Sequence, residues 1–195
     1  MTARSGGARL AGVMGWPVAH SRSPVLHEHW LARHGIDGAY VPLAVKPENL
    51  RAALGALPIL GFRGVNLTVP HKEKATAFMD RLTPQARRIG AINTVVVDAN
   101  GRLEGSSTDG YGFLENLRAG HPGWRPDGGA AVLLGAGGAA RAIAAALVDA
   151  GAPEIRVCNR TAARGEILAR DIGGPLRITF EDTGLSFSQM SSSGA

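Results

Sequence analysis

The sequence predicts an α/β protein in two parts, and three observations carry that prediction. Short apolar and β-branched runs alternate with helical stretches along most of the 195 residues, the order that builds a sheet flanked by helices. Residues 121–129 (HPGWRPDGG) break all periodicity and read as a loop between domains or at a domain edge. Beyond that loop the chain runs strand, glycine-rich turn, helix, strand. Composition agrees with a soluble globular chain: 45% of residues are hydrophobic and 19% charged. Aromatics are only 5%, so the core must be mostly Ala, Val, Leu and Ile.

Taken in order, residues 10–14 form a short strand that ends at Gly15. In 15–24 (GWPVAHSRSP), Ser23 followed by Pro24 reads as an N-cap and a first-turn proline. The helix continues over 25–33, with Leu26, Trp30 and Arg33 at helical spacing. Ser21 and Ser23 precede it, and their hydroxyls with the free first-turn N–H groups suit a carboxylate. Capping by Ser23, with Ser21 facing solvent, is the simpler alternative. Residues 39–45 and 62–67 read as strands, with a helix over 47–57 carrying Leu50, Leu54 and Leu57 on one side. Helices follow at 73–79 and 85–89, then a β-branched strand at 92–97 with Asn93 at its start. Asn100-Gly101 signals a type I′ hairpin, so 102–105 should pair back antiparallel. Residues 106–110 (SSTDG) open a helix over 111–118, where Asp109 is either the N-cap or the acidic partner of a lysine.

The second part begins with a buried-strand run at 130–134, followed by GAGGAAR (135–141), a helix over 139–150, a strand over 154–158 and a helix over 164–170. In that setting Gly135 allows a tight turn and Gly137 lets the backbone approach a pyrophosphate. Ala140 stands where a third glycine packs helix on strand. Ala136, Gly138 and Ala139 complete the turn, and the helix N-terminus stabilises phosphates. A buried helix that simply needs small residues is the alternative. At the end of the next strand, where an NAD site would carry Asp or Glu, stand Asn159, Arg160 and Thr161, with Arg164 one turn on. That exchange favours a 2′-phosphate, hence NADP. The chain therefore divides into a three-layer α/β domain (1–108) and an incomplete Rossmann-like nucleotide-binding domain (109–195) with an atypical tail at 175–195.

Chemistry concentrates in NLTVPHK (66–72). It follows an apolar run, so its polar groups sit at the carboxyl end of a strand, where open α/β sheets bind ligands. Asn66 and Thr68 offer hydrogen bonds. Lys72 is one of only three lysines, with Lys46 and Lys74, among 21 basic residues. A desolvated lysine exchanges a proton where arginine does not; a solvated lysine in a first helical turn is the alternative.

Other classes are disfavoured. Net charge is +5 with a pI near 10.1, but the arginines are scattered. A solvated surface or anionic small molecules account for them better than nucleic acid. Cys158 is the only cysteine, so no internal disulfide forms, and its apolar run predicts a core thiol. No metal site is expected, because His27 and His29 lie two apart on different helix faces. No signal-peptide h-region is visible, and the longest apolar stretch contains Arg141 and Asp149. No membrane segment is expected, and the cytoplasm is the expected compartment.

The set GWPVAHSRSP, NLTVPHK, GAINTV, SSTDG, GAGGAAR and NRT, in one order, closely resembles the shikimate dehydrogenase family over about residues 10–174. The resemblance implies NADPH-dependent reduction of 3-dehydroshikimate to shikimate in aromatic amino-acid biosynthesis. It implies that Ser21 and Ser23 hold the substrate carboxylate, and that Asn66, Thr68 and Asn93 bind ring hydroxyls. Lys72 and Asp109 become the catalytic pair, residues 135–141 the pyrophosphate loop, and Asn159, Arg160 and Thr161 the adenosine-phosphate site. A homodimer is left open. From about Pro175 the apolar pattern fades into a Ser-rich stretch, so a truncated or frame-shifted copy is expected. Such a copy keeps the substrate site but binds NADPH poorly and turns over slowly or not at all. The competing readings are a non-catalytic module holding a small hydroxylated carboxylate, and a relative that uses quinate or NAD.

Overall fold

The computed structural model describes residues 5–179. β1 (Arg9–Gly15), β2 (Gly38–Ala44), β3 (Phe62–Leu67), β4 (Arg81–Leu82), β5 (Thr94–Val97) and β6 (Leu103–Ser106) form one sheet in the order β2-β1-β3-β5-β6-β4. β1 pairs in parallel with β2 and β3, and β4 with β6. β5 runs against both of its neighbours. Successive residues of a strand face opposite sides of its sheet. Accordingly Met14 joins one core with Leu50, Leu54, Val65 and Leu67, while Val13 joins another with Val18 and Tyr40, against which Leu31 packs. α2 (Leu50–Ala56) thus covers one face and α1 (Ser23–Arg33) the other, giving three layers.

Further along, β7 (Ala131–Leu134), β8 (Ile155–Cys158) and β9 (Leu176–Thr179) form a second, all-parallel sheet in that order. α6 (Gly138–Asp149) and α7 (Ala162–Ile172) make the crossovers. α5 (Asp109–Gly120) leads in from the first sheet and crosses α6 closely. A Cβ at Gly110 would lie 2.6 Å from the carbonyl oxygen of Ala142. This is one βαβαβ half of a doubly wound sheet.

Several local expectations are corrected. Ser23 is the first residue of α1 rather than its cap; Arg22 holds the N-cap position with no side-chain hydrogen bond. The inward positions of α1 include Ser23, His27 and Leu31, while Leu26 and Trp30 are exposed. The helix expected at 47–57 starts as a 3-10 turn, Pro47–Asn49. The one at 73–79 is a single α turn, α3 (His71–Lys74), continuing as 3-10 over Ala75–Phe78. The β5–β6 hairpin forms, but not by a type I′ turn, which needs two positive φ angles. Among the described residues only glycines have positive φ, so Asn100 does not qualify and Gly101 turns alone at 75°. The Asp98 carboxylate closes this loop by accepting from the N–H groups of Asn100 and Arg102.

β7 is not buried on both faces: Val132 and Leu134 are 57% and 53% exposed. Cys158 is half-buried at the end of β8 rather than a core thiol. β9 continues the sheet where the sequence pattern had faded; the rest of the tail expected at 175–195 lies outside the described residues. Among the described residues, no helix is long and apolar enough to cross a membrane.

Candidate active site

β3 ends beside the site. Asn66 lies on it and Thr68 just beyond, and the chain turns through Pro70 into α3, which carries Lys72. The Lys72 ammonium donates to Asp109 Oδ2 at 2.5 Å, with both side chains largely buried. Asp109 is the first residue of α5 and Thr108 its N-cap, and no side chain caps that helix. The carboxylate is therefore the partner of Lys72 and not a cap. Its second oxygen, Oδ1, accepts from Asn93 Nδ2 at 2.8 Å. Asn93 is itself fixed: Nδ2 also donates to Thr108 Oγ1 at 2.9 Å, and Oδ1 accepts from the Thr108 N–H and the Thr94 hydroxyl.

The network runs on without a break. Asn66 Nδ2 donates to the Asn93 carbonyl at 3.3 Å and to Thr94 Oγ1 at 3.2 Å, and its Oδ1 accepts from the Tyr40 hydroxyl at 2.7 Å. On the other side of Tyr40, the Ser23 N–H donates to Ser21 Oγ at 3.3 Å. One hydrogen-bonded chain thus links Tyr40, Asn66, Asn93, Asp109 and Lys72, with Ser21 and Ser23 bonded to each other as a separate pair. Thr68 sits beside it with its methyl against Gly15, where a Cβ would be 2.4 Å away. Three members, Tyr40, Thr94 and Thr108, were not singled out from sequence. Tyr40 carried the usable signal: a buried tyrosine hydroxyl needs a partner.

The glycine turn faces the same crevice. α6 starts at Gly138 with Gly137 as N-cap and no side-chain cap, so its first-turn N–H groups await an acceptor. Gly135 turns with φ of 105°. A Cβ at Gly138 would lie 2.8 Å from Lys72 Cβ, so the missing side chain lets the lysine pack directly on the turn. Ala136 is buried and Ala140 packs on the second core, while Ala139 is exposed. Beyond β8, Asn159 Nδ2 donates to the Thr161 carbonyl at 2.7 Å, and Arg160 is exposed. Arg164, expected at a 2′-phosphate, reaches across the crevice and donates to Glu73 Oε1 at 2.8 Å. Arg141 closes the 135–141 run at the start of α6. Its guanidinium is buried and turns inward to the Ile89 carbonyl at 2.5 Å and Asp171 Oδ2 at 2.8 Å. Among the described residues, no group of three or more His, Cys, Asp and Glu could hold a metal ion.

A lysine–carboxylate pair lodged between a mixed sheet and the glycine turn of a parallel one marks an α/β protein whose second sheet is Rossmann-like. The description "Shikimate dehydrogenase substrate binding domain" matches residues 13–95, and "Shikimate / quinate 5-dehydrogenase" matches 125–185. The chain belongs to the shikimate dehydrogenase family. It is 61% identical over 174 residues to the shikimate dehydrogenase (NADP(+)) of Paramagnetospirillum magneticum, covering 89% of this chain and 63% of that one. Shikimate 5-dehydrogenase from Thermus thermophilus, solved in complex with NADP(H) and shikimate, superposes with a TM-score of 0.78 at 47% identity, over 88% of this chain and 62% of that one. Quinate dehydrogenase from Corynebacterium glutamicum, solved in complex with NAD, gives 0.79 at 31% identity, over 88% and 64%. The chain spans somewhat less than two thirds of the length of these relatives.

Proposed function

We propose that this chain carries the substrate site and the first half of the dinucleotide site for the NADP-dependent interconversion of 3-dehydroshikimate and shikimate. Residues 1–108 hold the substrate and residues 109–195 the dinucleotide. The observation that carries the reading is the 2.5 Å contact of Lys72 with Asp109, packed against Gly138.

The residues present fit such a dinucleotide. The α6 N-terminus offers uncapped N–H groups at a turn without side chains, which suits a pyrophosphate. Arg160 stands on an exposed position past the next strand, suited to a further phosphate, and Arg164 would join it by exchanging its Glu73 partner for that phosphate. When bound, the reduced dinucleotide supplies a hydride to a ketone carbon. The chain's own part is the proton: Lys72 donates to the ketone oxygen as charge develops there, and takes it back in reverse. Asp109 holds the lysine in place and balances its charge. Asn93 holds Asp109 through its other oxygen. Ser21, Ser23 and the α1 N-terminus receive the carboxylate, and Asn66, Thr68 and Asn93 orient the ring hydroxyls, so that the ketone meets the turn in one pose. A cytoplasmic setting is part of this reading, in keeping with a lone cysteine.

Calorimetry with shikimate and NADP-dependent oxidation of shikimate test the proposal on the 195-residue chain and its Lys72→Ala variant. The parent should bind shikimate. Whatever turnover it shows should fall by roughly 10²- to 10⁴-fold in the variant, with affinity changed only about a few-fold. Equal turnover in parent and variant, or a parent indifferent to shikimate, defeats it. A preference for quinate or NAD moves the chain to the neighbouring branch of the family.

A further inference from the structure

Tyr40 lies outside every motif of the site, yet its hydroxyl is bonded directly to Asn66. It stands on β2, 5% exposed, in the small core with Val13 and Val18. One ring face stacks on the His27 imidazole, with centroids 3.9 Å apart and planes within 2°. Its backbone N–H donates to Glu28 Oε1 at 2.9 Å, tying β2 to α1. Burial pushes the phenol up to about 12, so it remains a neutral donor at any physiological pH. A phenol has one proton to give, and here it goes to Asn66 Oδ1 at 2.7 Å. Both Asn66 Nδ2 hydrogens are already directed at the Asn93 carbonyl and Thr94 Oγ1. What remains of the amide for a ligand is the second lone pair of Oδ1.

We propose that Tyr40 is a positioning residue: its hydroxyl fixes the Asn66 amide so that Asn66 meets the substrate as a hydrogen-bond acceptor, selecting a ligand hydroxyl at that point. This rests on the substrate site proposed above. Tyr40 touches no reacting atom and acts through Asn66. Removing its hydroxyl frees the amide to swing and to offer N–H groups in place of oxygen.

The test is a double-mutant cycle on shikimate affinity with Tyr40→Phe and Asn66→Ala, by calorimetry on the full chain. Phe keeps the His27 stack and the core packing, so the fold is retained. Tyr40→Phe should weaken binding about tenfold in the parent background and about twofold or less when Asn66 is already Ala. The same loss in both backgrounds overturns the proposal, as does no loss at all. A second readout needs no ligand: the Asn66 side-chain amide protons, assigned by NMR through Asn66→Ala. They should shift and exchange faster in Tyr40→Phe, while those of Asn93 stay put. If the parent takes up no shikimate, the substrate reading fails, and the amide resonances alone decide the role of Tyr40. Unmoved Asn66 signals there overturn it.

Discussion

His71 immediately precedes Lys72, and it is fully buried. Its Nε2 lies 2.8 Å from the Val45 carbonyl, so Nε2 carries the hydrogen, and Nδ1 has no partner. A second proton would sit on that orphaned nitrogen, in the core and near Lys74. Burial accordingly lowers its pKa below 6.5, aided by Lys74 and opposed by the Val45 hydrogen bond. His27 is lowered by burial as well. Below 6.5 the unfolded chain therefore takes up protons that the folded chain refuses. Stability is full above that pH and is lost as pH falls toward the depressed folded value. The urea midpoint should drop between neutral pH and about pH 5. His71→Gln, which keeps a donor for Val45 but cannot titrate, should show a shallower drop, with the His27 share remaining. Identical slopes would place the acid sensitivity elsewhere. At this scale the sequence was most legible where polar residues crowd at a strand end, as in the 66–72 run. It was least legible at Tyr40, whose partner Asn66 lies 26 positions away, and at Arg141, whose type and place in the turn gave no hint that it faces inward.

β3 is the element on which the site hangs, and its geometry depends on one extra residue. Its register with β1 moves from Leu10↔Phe62 to Ala11↔Gly64, leaving Arg63 as a bulge. This sets which residues of the 66–68 run emerge at the sheet edge. Gly64 follows with φ of 156°, and a Cβ there would lie 2.2 Å from the Val95 carbonyl oxygen of β5. Gly64→Ala must part β3 from β5 or abandon the backbone angle. It should cost about 3 kcal/mol or more, read from chemical denaturation. A loss under about 1 kcal/mol would mean the two strands separate freely. The sequence showed β3 as an apolar run but not its bulge, which leaves no mark other than a glycine. α1 forms where helical spacing of Leu26, Trp30 and Arg33 placed a helix, and the positions that face in are Ser23, His27 and Leu31. That face mixes a serine and a histidine with Leu31, so apolar spacing alone does not report its burial. β9 was missed because four residues at the end of a fading pattern are too few to show a period.

Across the whole molecule, the two sheets meet through α4 (Pro84–Ile89). Ile89 and Ala91 are buried in the second sheet's core although their chain belongs to the first sheet's half. Arg141 locks this joint. It donates to the Ile89 carbonyl and to Asp171 from a side chain only 8% exposed, and a Cβ at Gly90 would come within 2.8 Å of its guanidinium. Arg88 and Asp149 form a second crossing at 2.6 Å, but on the surface. These two ion pairs should differ sharply. Arg141→Met keeps most of the volume, yet strands the Ile89 carbonyl and leaves Asp171 with only the exposed Arg170. Breaking a buried pair on one side costs about 3–5 kcal/mol; with Asp171 itself partly exposed, about 2–3 kcal/mol is expected here. Arg88→Ala should cost less than about 1 kcal/mol, since water replaces the lost partner. Urea denaturation of both variants compares them directly. Because Lys72 packs on Gly138 across the same joint, a loosened Arg141→Met chain should also hold shikimate less tightly than the Arg88→Ala chain. Equal stability losses in the two variants would mean that the halves are held by apolar contact at Ile89 and Ala91, with the buried arginine contributing alignment alone.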